Sequence, residues 1–180
     1  MTIPQFTVGQ VLTAAELNAM VDEINIGSAV VQVKSTTKTD TFSMASTTFA
    51  DITGLSVSIT PTSASNKIFI VATVAQGAES VYTGNLRLMR DSTAIGVGAT
   101  AGSRISSTSY NTTPQTHSMT STSLNFLDSP ATTSATIYKI QVANVSGVGG
   151  TVYVNRSHTD TDNATYARNI STITVFEVTP

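Results

Sequence analysis

Only two histidines, His117 and His158, occur in the 180 residues, and cysteine is absent. Without a thiol there is no cysteine nucleophile, no thiolate metal site and no disulfide. Serine is plentiful, yet a hydrolytic triad also needs a base, an orienting acid and a glycine-framed nucleophile turn, and no such pattern surrounds any serine. Neither histidine has a second histidine two or four residues on, so both read as polar loop residues. The one route to a histidine-bound ion is three copies of a histidine gathered round a symmetry axis. His158-Thr159-Asp160-Thr161-Asp162-Asn163 alternates oxygen donors as a calcium loop does. It lacks the sixth-position glycine and the distal glutamate of an EF-hand, and so reads as a solvated turn. The carboxylate pairs Glu79/Asp91 and Asp160/Asp162 sit in no cleft motif and read as surface charges, not as a glycosidase pair. Asn-x-Ser/Thr at Asn111, Asn144, Asn155 and Asn163 follows from a composition rich in hydroxyl residues. The expectation is a protein that is not an enzyme, with no catalytic residues, no metal and no cofactor.

Binding chemistry is better represented. Tyr82, Tyr110 and Tyr166 fall at or near expected loops, with Asn85, Asn111, Asp162 and Asn163 not far off in sequence. A pyranose offers C–H faces to an aromatic ring and hydroxyls to amide or carboxylate edges. Tyr82, Tyr110, Asn111, Asp162 and Tyr166 are therefore the candidate glycan-contacting residues. The competing reading is that these tyrosines pack against their own loops.

The elements that must position such loops follow from composition and period. Thr and Ser supply 32 and 22 residues, charged residues only 11%, and apolar residues 40%. A disordered chain with so few charges would be poor in apolar residues as well, so this chain folds. A Thr/Ser/Val surface suits strands rather than helices. Val30, Val31 and Val33 open a first strand, and Leu55, Val57 and Ile59 alternate with hydroxyl residues before Pro61 stops a second. Residues 67–75 are apolar on both faces, which marks a strand buried on both sides or one whose outer face another subunit covers. Further strands are expected over 85–90, 94–97 (across an Asp91-Ser92 turn), 119–127, 135–145, 151–155 (after a turn at 147–150) and 170–178. Long polar connections span 99–115 and 157–167, where binding usually resides. Some eight to ten strands without intervening helices predict an all-β, antiparallel β-sandwich of jelly-roll type over residues 28–180.

Residues 1–27 have a different character. Residues 1–11 read as an extended arm, in which Pro4 keeps Ile3 out of the helical region and Gly9 permits a turn before Gln10. Thr13-Ala14-Ala15-Glu16 is a capping box, and Leu12 and Leu17 are spaced for a hydrophobic staple. Leu17, Met20, Val21 and Ile24 share one face of a helix expected over 14–25, closed by Gly27. A helix of this length is marginal alone in water and needs a surface. Its stripe either packs on the sandwich or pairs with copies from neighbouring subunits, which makes Leu12, Leu17, Met20, Val21 and Ile24 the attachment and oligomerisation candidates.

With 9 basic and 11 acidic residues the net charge is −2, and no basic run or Arg/aromatic stripe provides a nucleic-acid footprint. No stretch approaches the ~20 apolar residues of a membrane span, and the opening Met-Thr-Ile-Pro-Gln-Phe lacks a signal-peptide pattern. The expectation is a protein made in the cytoplasm, without membrane insertion.

The stretch Gly9-Gln10-Val11-Leu12-Thr13-Ala14-Ala15-Glu16-Leu17-Asn18-Ala19 resembles the start of many tailed-bacteriophage fibre and virion-associated proteins. The body is similar to a module common in cyanophage and other environmental phage proteins. The stretches that carry this likeness are 49–61 (Phe-Ala-Asp-Ile-Thr-Gly-Leu-Ser-Val-Ser-Ile-Thr-Pro), 65–68, 88–93, 126–136, 151–157 and 171–178. The resemblance implies a phage virion structural protein, located on the tail or head surface of the particle. It further implies a homotrimer whose N-terminal arm and helix bind other virion proteins and whose β-domain faces outward. Two roles fit: a tail fibre or fibre-like appendage touching a host-surface glycan or protein, or a capsid decoration (cement) protein stabilising the head shell. A carbohydrate-active tailspike enzyme is the third and weakest.

Overall fold

In the computed structural model the described residues are 9, 11–18, 29–79, 84–112, 116–144 and 150–180. Among them are eleven strands: β1 (Val30–Lys38), β2 (Phe42–Met44), β3 (Ala50–Ile59), β4 (Lys67–Ala78), β5 (Asn85–Arg90), β6 (Thr93–Ile95), β7 (Ser109–Tyr110), β8 (Thr120–Asp128), β9 (Thr136–Ala143), β10 (Val152–Val154) and β11 (Ser171–Val178). All their pairings are antiparallel.

The strands fill eight positions because three pairs are collinear pieces. β11 pairs with β4 over residues 67–73, and β10 continues the same edge of β4 over 76–78. β1 and β2 lie in line beside them, on β11 and β10 respectively. β6 and β7 share the edge of β5 that β9 leaves open. One sheet is then β1/β2, β11/β10, β4, β8, and the other β3, β9, β5, β6/β7. Numbered along the chain, the positions run 1-8-3-6 and 2-7-4-5. That interleaving is the double Greek key of a jelly roll, so the fold class expected from period and turns is the one observed.

Strict alternation sets which side chains face inward. Leu55, Val57 and Ile59 of β3, Leu86 and Leu88 of β5, Tyr138, Ile140 and Val142 of β9 and Ile173 and Val175 of β11 are all buried in one core with Ile68, Ile70, Ala72 and Val74 of β4. Each fully buried aliphatic side chain stabilises by roughly 1.5–3 kcal/mol. The hydroxyl residues between them face out.

Three differences from the sequence reading have physical causes. The three-residue β2 was not expected, and β7 falls inside the expected 99–115 connection. Such pieces are too short to establish a period and exist because a neighbouring strand supplies the ladder. Strand β4 is not covered on both faces by its own chain: Ile68, Ile70, Ala72 and Val74 are buried, while Phe69 and Val71 are each 37% exposed. Burial on both sides within the chain is thereby corrected.

The N-terminal reading is described only in part. Gly9 sits in a turn at φ +89°. Residues 14–18 are helical. The capping box is formed: the Thr13 N–H and hydroxyl donate to the Glu16 carboxylate at 2.8 Å each, and the Glu16 N–H donates to Thr13 Oγ1 at 3.3 Å. These bonds hold the Glu16 carboxyl below its ordinary pKa. Leu12 is half-buried and Leu17 is 50% exposed. The extended arm over 1–8, the expected helix beyond residue 18, Met20, Val21, Ile24 and the 27/28 domain boundary lie outside the described residues, as do Tyr82 and positions 147–149 of the expected turn.

Candidate functional site

The collinearity of β10 and β11 means that residues 155–170 form an excursion from a single strand line. The chain leaves β4 at Val154, opposite Gln76, and returns at Thr172, opposite Thr73. A loop inserted in this way is rigid only if its base is fixed. Asn155 performs that task from a left-handed backbone (φ +63°) that asparagine tolerates better than most residues. Its amide nitrogen donates to the carbonyls of Lys38 and Asp40 at 2.9 Å each, bridging the β1/β2 junction. Its side-chain oxygen accepts from Ser171 Oγ at 2.6 Å, and its N–H donates to the Ala75 carbonyl at 2.9 Å. Ser171 Oγ in turn accepts from the Ala75 N–H at 3.1 Å. Both ends of the loop are thus tied to β4 and to the edge strand. Beneath the loop runs Gly77, where a Cβ would stand 2.5 Å from the Arg156 carbonyl oxygen, so the close crossing requires glycine.

The first turn of the excursion is a stack. The Arg156 guanidinium lies 4.0 Å above the Tyr153 ring, and His158 Nδ1 is 3.0 Å from the Tyr153 hydroxyl. Arg156 also donates to the carbonyls of Ser157 and His158 at 3.3 Å each. Farther out, Arg168 reaches back to Asp160 at 2.6 Å, closing the tip as a ring, and Arg156 stands 3.6 Å from the same carboxylate. Asn163 Oδ1 accepts from the N–H and the hydroxyl of Thr165, and the Tyr166 N–H donates to the Asn163 carbonyl at 3.0 Å. Between these groups is an open hollow of about 230 Å³ lined by Asp160, Thr161, Asp162, Asn163, Tyr166 and Arg168. Pockets for drug-sized ligands run ~300–1,000 Å³, so this hollow suits one small polar group.

Of the glycan candidates, Asp162 and Tyr166 are brought together here. Tyr110, half-exposed, stands on β7, and the Asn111 amide donates to Thr122 Oγ1 at 2.8 Å, so neither lines the hollow. Sequence reasoning passed over Arg168, the one basic residue between 157 and 170, and assigned Asp160 to the surface. Two guanidinium groups beside Asp160 make it a poor cation ligand, because the carboxylate is already engaged. Among the described residues there is no group of three or more His, Asp or Glu placed to hold a metal, and no helix long and apolar enough to cross a membrane.

No known protein family matches this sequence, and no curated protein is similar to it. Among solved structures, the chain is similar to the structure of the infectious bursal disease virus Gt strain (16% identity, TM-score 0.41, 83% of this chain and 38% of that one). It is also similar to the VP2 subviral particle of the same virus (14% identity, TM-score 0.39, 84% of this chain and 42% of that one). The chain thus spans about two fifths of the length of those proteins. Likeness at these values carries no functional inference, and the jelly-roll assignment rests on the strand order itself.

Proposed function

We propose that this protein is a structural component of a phage virion: a trimeric, fibre-like appendage that attaches through its N-terminal segment and touches the host surface through its sandwich. The observation that carries the host-contact part is the 155–170 excursion, a polar hollow pinned at both ends to a rigid sheet. Binding residues are commonly held in this way, on loops above a scaffold. Tyr166 offers a ring face, while Asp162, Asn163 and Arg168 offer edges to sugar hydroxyls. Single contacts of this size are weak, and display of several copies on one particle multiplies them into useful avidity. The likeness of residues 9–19 to fibre openings supports attachment through the N-terminus.

The reading of a capsid decoration protein is favoured by a different observation, the outward exposure of the apolar Phe69 and Val71 of β4, which suits a protein spread between shell subunits. Electron microscopy of the intact particle with labelled antibody separates the two: density at the tail supports the appendage, and density over the icosahedral shell overturns it. On host-surface glycans, the Asp162→Ala/Tyr166→Ala double variant is expected to lose at least tenfold in apparent affinity, about 1.4 kcal/mol, with an unchanged unfolding midpoint. Equal binding by that variant removes the hollow as the contact.

A further inference from the structure

The outer faces of the two sheets differ in kind. On the sheet containing β9, Lys139 is paired with Asp51 at 2.8 Å, Gln141 donates to the same carboxylate at 2.8 Å, and the Arg87 guanidinium lies 3.7 Å from the Phe49 ring centre. That face is charged and partnered. On the sheet containing β4, the register aligns Val33 of β1, Phe176 of β11, Phe69 of β4 and Leu127 of β8 in one row across all four strand positions. Val33 and Leu127, at the two edges, are 49% and 47% exposed, and Val71 continues the apolar surface into the next row. The Phe69 and Phe176 rings meet at 6.2 Å between centroids, so the row is contiguous at its centre. Val178 and its partner Val30 lie at the end of the face beside Lys67, which is the outward charge on these four strands, and the other outward positions are mostly hydroxyl residues with Asn125.

We infer that this face, centred on Phe69 and Phe176, is the surface through which a second copy of the chain binds. The inference rests on the homotrimer reading above and supplies its interface. Four strand positions ~4.8 Å apart and some seven residues of ~3.3 Å each give roughly 450 Å² in projection. That exceeds half of the ~800 Å² per partner in a stable interface, and the apolar row crosses this face from one edge to the other. A face almost without charge meets its own copy with neither like-charge repulsion nor a buried unpaired ion, whereas a charged partner would be desolvated against it without compensation. The chain's own N-terminal segment enters beside this row, since the Thr179 N–H donates to the Ala29 carbonyl next to Val30. Leu17 of that segment is half-exposed. Hydroxyl side chains around the row desolvate at lower cost than Lys or Glu, which lets the interface extend along the strands.

The chain has no cysteine, so a full-length Val71→Cys variant carries a single thiol at the centre of the face, with Ser56→Cys on the opposite sheet as reference. Maleimide labelling and sedimentation velocity are read on the same samples. The expected result is an oligomer in which the thiol of Val71→Cys reacts an order of magnitude more slowly than that of Ser56→Cys. Adding Val33→Lys/Leu127→Lys, on edge strands where lysine is well tolerated, is expected to give a monomer with an unchanged circular-dichroism spectrum and a fast thiol. A monomer with a protected thiol assigns the cover to the chain's own N-terminal segment, and a monomer with a fast thiol removes the interface altogether. Either overturns the inference. An oligomer with a fast thiol that dissociates on Leu17→Asp/Ile24→Asp overturns the face as interface but leaves the oligomeric reading standing.

Discussion

Glu177 is a carboxylate with no solvent exposure at the end of β11 where the chain enters the sandwich. Burial opposes its charge. Hydrogen bonds from Gln32 Nε2 (2.6 Å), Asn66 Nδ2 (2.7 Å) and the hydroxyl and N–H of Thr62 (2.8 and 2.7 Å) outweigh that penalty and bring its pKa down from 4.5 to about 2. A depressed folded-state pKa contributes stability that is fully present above pH ~4.5 and is lost as the pH falls toward 2, on the order of 3 kcal/mol in all. Chemical denaturation of Glu177→Gln is expected to show a flatter stability curve between pH 5 and pH 2 than the wild type, and an equally steep fall would assign the acid sensitivity to other carboxylates. Tyr138 shows the opposite sign: burial, with the Asp128 carboxylate 2.7 Å from its hydroxyl, keeps the phenol protonated throughout. Alternation with Ile173 and Val175 already places Glu177 on the core side in the sequence. What compensates it there was not legible, because Gln32, Thr62 and Asn66 come from distant parts of the chain.

At the scale of elements, the capping box was fully legible because its two residues are three apart and need no tertiary context. The larger strands were legible for a related reason, since period two and turn residues are local signals. Asn155 is the contrary case. In sequence it is one more asparagine ahead of a Ser/Thr-rich stretch, and its role exists only once β1, β2, β4 and β11 converge on it. Asn155→Ala is expected to cost about 2–4 kcal/mol, since it removes the partners of the buried Lys38 carbonyl, of the part-buried Asp40 carbonyl and of Ser171 from a strained backbone. Limited proteolysis checks the local consequence: cleavage should concentrate between residues 156 and 170 in the variant, and a cleavage pattern unchanged from wild type would show that the loop base is held without it. Of the four glycan candidates among the described residues, Asp162 and Tyr166 share a hollow, because residues four apart in one loop can meet without help from the fold.

For the whole molecule, the jelly roll explains how so small a chain presents three separate surfaces: an entry end bearing the N-terminal segment, an apolar sheet face and a polar loop. Because, among the described residues, the core is formed by the strands and β1 begins at Val30, removal of residues 1–27 is expected to leave a cooperatively folded sandwich that no longer attaches to particles. Loss of the cooperative thermal transition would instead make the N-terminal segment part of the folding unit. The split strand has a further consequence for engineering and for divergence. Both halves keep their places on β4 whatever lies between them, so the segment from 158 to 168 behaves as an exchangeable cassette. Its length and sequence can drift, or a foreign epitope can be grafted there, while the register on either side is preserved.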